Sequence, residues 1–176
     1  MNYYISDTHY HHRKIIQYEN RPFSSIEEMN EAMIQKHNTK VSKGDNVYIL
    51  GDFAFSTPEQ AINILRRLNG QKFLIYGNHD KVVRQNKAVQ AEFAWCRDYY
   101  VAYEDNVPVI LFHYPINVWD RKHHGSYHFY GHVHSPKVGH HVITGELVNA
   151  FNVGADVQDF EPKTFKEIIN VQPTSN

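Results

Sequence analysis

Short apolar runs alternate with amphipathic stretches along most of the chain. "NYYIS" (2–6), "DNVYIL" (45–50) and "KFLIY" (72–76) are apolar runs bounded by polar or turn residues, the pattern of buried strands. Between them, positions 24–41 carry apolar residues at Ile26, Met29, Met33 and Ile34 behind a serine and two glutamates, which predicts a capped amphipathic helix. Positions 57–70 predict a second helix, with Thr57 as cap, Pro58 at its first position and Gly70 as its stop. A third helix is expected over roughly 83–94. Further along, "YYVAYE" and "VPVILFH" flank Asp105-Asn106 as a hairpin, and "SYHFYG" (126–131) reads as a short strand. A second hairpin is expected to turn at Gly145, and a short closing helix covers 161–170. The strand–helix alternation of the first half implies parallel βαβ units. The closer spacing of the later strands suggests antiparallel pairing. The expected class is a mixed α/β fold in a single domain over 1–176.

The polar residues that follow the strands change the picture. Asp7 and His9 come after the first apolar run, Gly51-Asp52 after the second, and Gly77-Asn78-His79-Asp80 after the third. His113 follows "VILF", and Gly131-His132-Val133-His134 follows "YHFY". In open α/β sheets the site lies beyond the carboxyl ends of the strands, so these distant residues are placed to converge. A glycine before a ligand-type residue is a common turn signal when it occurs once. Five strand ends in succession, each with metal-competent atoms, are poorly explained that way. Asp7, His9, Asp52, Asn78, His113, His132 and His134 make seven positions, the number two ions with four ligands each need if one carboxylate bridges them. Carboxylate, amide and imidazole donors without thiolate suit manganese, which we favour, or iron, nickel, cobalt or zinc.

Composition agrees. Histidine stands out at 13 residues, and the one cysteine, Cys96, excludes a cysteine-based zinc site and an intramolecular disulfide. Lys and Arg number 18 against 19 for Asp and Glu, so no overall basic excess draws in nucleic acid. No signal peptide or membrane-length apolar run is evident, which leads to the expectation of a cytoplasmic protein without a membrane or protein partner.

The ordered set D-x-H, GD, GNHD, a lone His and GHxH resembles the motifs of the calcineurin-like metallophosphoesterases, and spans 7–134. The "RPF" and "EMNEA" stretches further resemble its compact bacterial and phage members. The resemblance implies a four-layer αββα sandwich, two mixed β-sheets face to face with helices outside. It also implies a first ion on Asp7, His9, Asp52 and His134, and a second on Asp52, Asn78, His113 and His132. His79 would meet the leaving oxygen or the phosphate, with Asp80 orienting its ring. After its Gly51-Asp52, the segment "GDFAFSTPEQ" has Phe53 and Phe55 where the phosphoprotein-phosphatase branch carries further Asp, Arg and Gly residues.

The expected chemistry is phosphoester hydrolysis. Water between two divalent cations ionises near neutral pH and can attack phosphorus in line. A phosphodiesterase acting on a nucleotide-type or other small phosphoester is the first choice. A phosphomonoesterase follows, then a nuclease. A non-catalytic metal- or nucleotide-binding module ranks lower because all seven ligand positions and His79 are present. A histidine-rich metal buffer would cluster its histidines locally. Around the centre, His12 either reaches the phosphate or is a surface histidine. Arg21 either clamps a phosphate oxygen or is solvated. In the 119–128 loop, His124 is a candidate substrate contact, and Trp119 is either a stacking surface or a buried indole. Tyr3 and Tyr4 are expected in the core, and His11 has no assigned task.

Overall fold

The computed structural model describes residues 1–135 and 147–170. In chain order the elements are β1 (Asn2–Ile5), α1 (Ile15–Tyr18), α2 (Ile26–Lys40), β2 (Asn46–Ile49), α3 (Pro58–Arg67) and β3 (Gln71–Ile75). There follow α4 (Lys81–Arg84), α5 (Lys87–Gln90), β4 (Trp95–Arg97), β5 (Tyr100–Glu104), β6 (Val107–Leu111) and a 3-10 turn at Lys122–His124. The chain continues through β7 (Tyr127–Tyr130), β8 (Ala150–Asn152), β9 (Lys163–Thr164) and α6 (Phe165–Ile169).

Local chemistry sets the two long helices. Ser25 caps α2 by accepting the Glu28 N–H. Thr57 and Gln60 form a reciprocal capping box on α3, with Pro58 just inside. α3 ends at Arg67, short of Gly70, because Leu68 is already extended. The helix expected over 83–94 is instead two short turns broken at Asn86, whose backbone is extended. The three residues after it form β4, a strand too short for periodicity to reveal.

The strands build two mixed sheets. The first has the order β4-β3-β2-β1-β9, parallel except for antiparallel β9. The second has the order β5-β6-β7-β8. Its β5–β6 hairpin is antiparallel as expected, and Asp105 and Asn106 take φ of +48° and +68°, the left-handed pair a two-residue turn requires. The β6–β7 and β7–β8 pairs are parallel rather than antiparallel, since the segments between them are long enough to cross back to the same end. Of the second expected hairpin, the arm and turn within 136–146 lie outside the described residues, and the other arm contains β8.

Alternation along each strand sorts side chains between layers. Tyr4, Tyr48, Leu50 and Ile75 face the second sheet and pack with Val109, Leu111 and Phe129. Tyr3, Ile5, Val47, Ile49 and Leu74 face outward, onto Met29, Met33 and Ile34 of α2 and Ala61, Ile64 and Leu65 of α3. Tyr4 is fully buried, stacked on Tyr48 at 5.3 Å and edge-on to Phe129 at 5.0 Å. Across the second sheet, His128 meets Trp119 at 5.2 Å, so the outer cover there is the 112–126 segment with its 3-10 turn. No helix among the described residues is long and apolar enough to cross a membrane.

Two core histidines make acid stability testable. Burial depresses both His37 and His128 to about 4. A depressed histidine binds its proton more readily unfolded, so its contribution is full above pH 6.5 and is lost as pH falls toward 4. Thermal denaturation should show a midpoint that drops across that window. The drop should flatten in the His37→Gln/His128→Gln double variant; an unchanged slope in that variant would contradict their burial as neutral rings.

Candidate metal centre and active site

The C-terminal ends of β1, β2, β3, β6 and β7 all open on one edge. There the two sheets meet: the Ser6 N–H donates to the Val153 carbonyl at 2.8 Å, and the Ala155 N–H to the Ser6 carbonyl at 2.8 Å. The approach is close enough to demand glycine at Gly131, where an added Cβ would lie 2.0 Å from Ser6 Oγ and 2.3 Å from Asp7 Oδ2. At Gly51 a Cβ would lie 2.5 Å from His113 Nδ1, and φ is +91°.

On that edge the ligand candidates gather into two adjoining groups. Asp7, His9 and His134 form one, Asp52, His113 and His132 the other, with donor atoms in each group within 4.8 Å of one another. Asn78 joins the second, its Oδ1 3.0 Å from His113 Nε2 and 3.1 Å from His132 Nδ1. Asp52 stands between them, Oδ2 lying 3.7 Å from His9 Nε2 and 3.6 Å from His113 Nε2. Both gaps are too long for hydrogen bonds and leave room for cations. The backbone is strained to make this arrangement: Asp7, His9, Asp52, His132 and His134 sit at φ of +53°, +51°, +54°, +68° and +48°. Each left-handed non-glycine residue costs about 1–2 kcal/mol and persists where the surrounding structure over-determines it.

The donor set fits divalent metal. Asp7 Oδ1 and both ring nitrogens of His9 are buried with no hydrogen-bond partner. Burial drives the Asp7 carboxyl upward and the His9 imidazole well below its ordinary value. Such uncompensated polar burial is costly, and a cation among these atoms offsets it.

Residues 2–168 match the model of the calcineurin-like phosphoesterase superfamily domain. An uncharacterized protein of Methanocaldococcus jannaschii is 32% identical over 171 residues, covering 96% of this chain and 89% of that one. The gene 66 protein of Mycobacterium phage L5 is 26% identical over 163 residues, covering 77% and 78%. A crystal structure of a protein of unknown function from Aquifex aeolicus superposes with a TM-score of 0.74 at 24% identity, covering 98% and 99%. The chain belongs to the calcineurin-like phosphoesterase superfamily. Its two facing sheets are that fold, and the superfamily is one of generally hydrolytic, divalent-metal-binding phosphoesterases.

Outer contacts hold the rings of the candidate ligands. The His113 ring is fixed by Nδ1 on the Leu50 carbonyl at 2.7 Å, which turns Nε2 toward Asp52. His134 Nδ1 lies 2.9 Å from Asp156 Oδ2, which turns its Nε2 toward Asp7. Burial alone would lower the His134 pKa, but its bond to Asp156 and the charge of Asp7 outweigh that and raise it. Burial pushes the Asp156 carboxyl up, yet His134 and Arg21 together hold it below the ordinary value.

Several sequence expectations need correction. Arg21 is no phosphate clamp: its buried guanidinium pairs bidentately with Asp156 at 2.8 and 2.9 Å and donates to the Asp7 and Thr8 carbonyls. Asp80 does not orient the His79 ring. Its carboxylate accepts the backbone N–H groups of Asp52, Phe53 and Gly77 at 2.9, 2.8 and 2.7 Å and so locks two ligand loops together. Trp119 is the buried indole, donating to Ser126 Oγ at 3.0 Å. His124 lies on the exposed 3-10 turn against His123 and is not among the residues lining the cleft beside the centre. His11 ties its loop to α2 through Asn30.

His79 and His12 do line that cleft, with His9 and His134. The His79 backbone N–H donates to Asp52 Oδ1 at 2.8 Å, while its exposed ring lies 6.0 Å from the His9 ring. Asp156 was not foreseen. The signal was there: "AFNVGAD" repeats the pattern of an apolar run, a glycine and an acidic residue.

Proposed function

We propose that this chain is a dinuclear, divalent-metal-dependent phosphohydrolase whose preferred substrate class is a small phosphodiester of nucleotide type. The observation that carries the reading is Asp52 Oδ2, set 3.7 Å from a histidine of one group and 3.6 Å from a histidine of the other. Asp7, His9, Asp52 and His134 would hold one ion, and Asp52, Asn78, His113 and His132 the other. Manganese is the favoured metal. When bound, the ions supply Lewis acidity that activates water and neutralises charge on the phosphoryl oxygens. His79 is left free of the ligand set and faces the cleft, where its ring can give a proton to the departing oxygen.

A diester is preferred over a monoester because the cleft has two sides. A cavity of about 550 Å³ and another of about 720 Å³ meet at Phe55 and His79, which line both. Two cavities flanking one centre suit a phosphorus with two organic substituents.

The test is hydrolysis of bis-p-nitrophenyl phosphate beside p-nitrophenyl phosphate, on chelator-stripped protein with and without Mn²⁺. Metal-dependent turnover favouring the diester is expected. Turnover favouring the monoester would make phosphatase activity the better reading, and no turnover with any divalent ion would favour a binding module. His79→Ala should retain both ions while slowing turnover by about 10²–10⁴-fold, most for poor leaving groups. Equal slowing across leaving groups would argue against its acid role.

A further inference from the structure

Beside the metal centre, the smaller cavity is walled mainly by rings, with Glu19 as the carboxylate in its lining. His12 and Phe55 stack with centroids 4.0 Å apart and planes 15° from parallel. Tyr18 stands edge-on to His12 at 6.3 Å, and Ile15 and Val133 complete the apolar lining. Phe55 is 39% exposed and Tyr18 53%. The mechanism above uses none of these three rings.

We infer that Phe55, His12 and Tyr18 form a subsite that takes the nucleobase of a nucleotide substrate. The inference rests on the phosphohydrolase reading for the position of the phosphorus and goes beyond it in naming what binds next to it. His9 and His134 belong to both the metal groups and the cavity wall, so a phosphoryl group at the centre directs one substituent into the cavity. That substituent meets aromatic rings, which favour a flat π-system. The rings adjoin His9, with centroids 5.4 Å (His12) and 5.6 Å (Phe55) from its own, so the platform borders the metal groups directly. The volume of about 550 Å³ lies within the range of small-ligand pockets.

The test compares AMP, ribose 5-phosphate and phosphotyrosine on protein reloaded with Mn²⁺. Dissociation constants are read by calorimetric titration, or as competitive inhibition constants against bis-p-nitrophenyl phosphate for any ligand that is turned over. AMP should bind about 10-fold or more tighter than ribose 5-phosphate, the size expected of one base on an aromatic platform. Phosphotyrosine, with a smaller π-face than a purine, should bind more weakly than AMP. Phe55→Ala and Tyr18→Ala should each narrow the AMP advantage, and Phe55→Tyr should preserve it. Equal binding of AMP and ribose 5-phosphate, or tightest binding of phosphotyrosine, would overturn the assignment. Diester turnover with no base preference would remove this inference and leave the hydrolase standing. Base-dependent binding without turnover would do the reverse.

Discussion

Asp52→Asn should lower turnover by at least about 10³-fold, because several kcal/mol of transition-state stabilisation depend on correctly held ions. The substitution is nearly isosteric and keeps the Oδ1 that accepts the His79 N–H at 2.8 Å. It replaces the charged Oδ2 that faces His9 and His113 from between the two groups. Both ions should therefore bind more weakly, whereas loss of a ligand exclusive to one group should weaken mainly one. The measurement is metal content after dialysis together with kcat. Two tightly held ions with normal activity would remove Asp52 from the bridging position.

Arg21→Met should damage folding as well as metal binding. The guanidinium is fully buried, and its removal strands the Asp156 carboxylate in the interior. Breaking a buried pair by removing one partner costs about 3–5 kcal/mol. For a chain of this size that lowers the melting midpoint by roughly 10 °C. Asp156 also orients His134, and loss of such outer support weakens metal affinity by about 10–100-fold. The loss should fall on the Asp7–His9–His134 group first. A substrate clamp would behave differently: KM would rise while the melting midpoint and metal content stayed at wild-type values, and that result would restore the role first considered for Arg21.

Arg21 also marks the limit of what can be read from sequence. The convergence of the candidate ligand positions was legible because each follows an apolar run and the strands are short, so the chemistry sits at a countable distance from the pattern. The parallel order of β1, β2 and β3 followed from the helices between them. The direction of a polar side chain leaves no such trace. Asp80 could point at His79 or back at the loops of Asp52 and Gly77, and only the three N–H groups it accepts decide between them. Arg21 pairs with a residue 135 positions away, and nothing near "RPF" hints at it. Asp156 was hidden for another reason: β8 was read as one arm of a hairpin, so its carboxyl end was not recognised as a sixth end on the site's edge. β4 and the break at Asn86 lie below the length at which apolar periodicity separates helix from strand.

In the proposed function one chain holds two ions through a shared carboxylate. Calorimetric titration of the chelator-stripped protein with Mn²⁺ tests it most directly. Two ions per chain are expected in the wild type, with both binding events weakened by Asp52→Asn. Saturation at one ion per chain, or a wild-type isotherm in the Asp52→Asn variant, would contradict it.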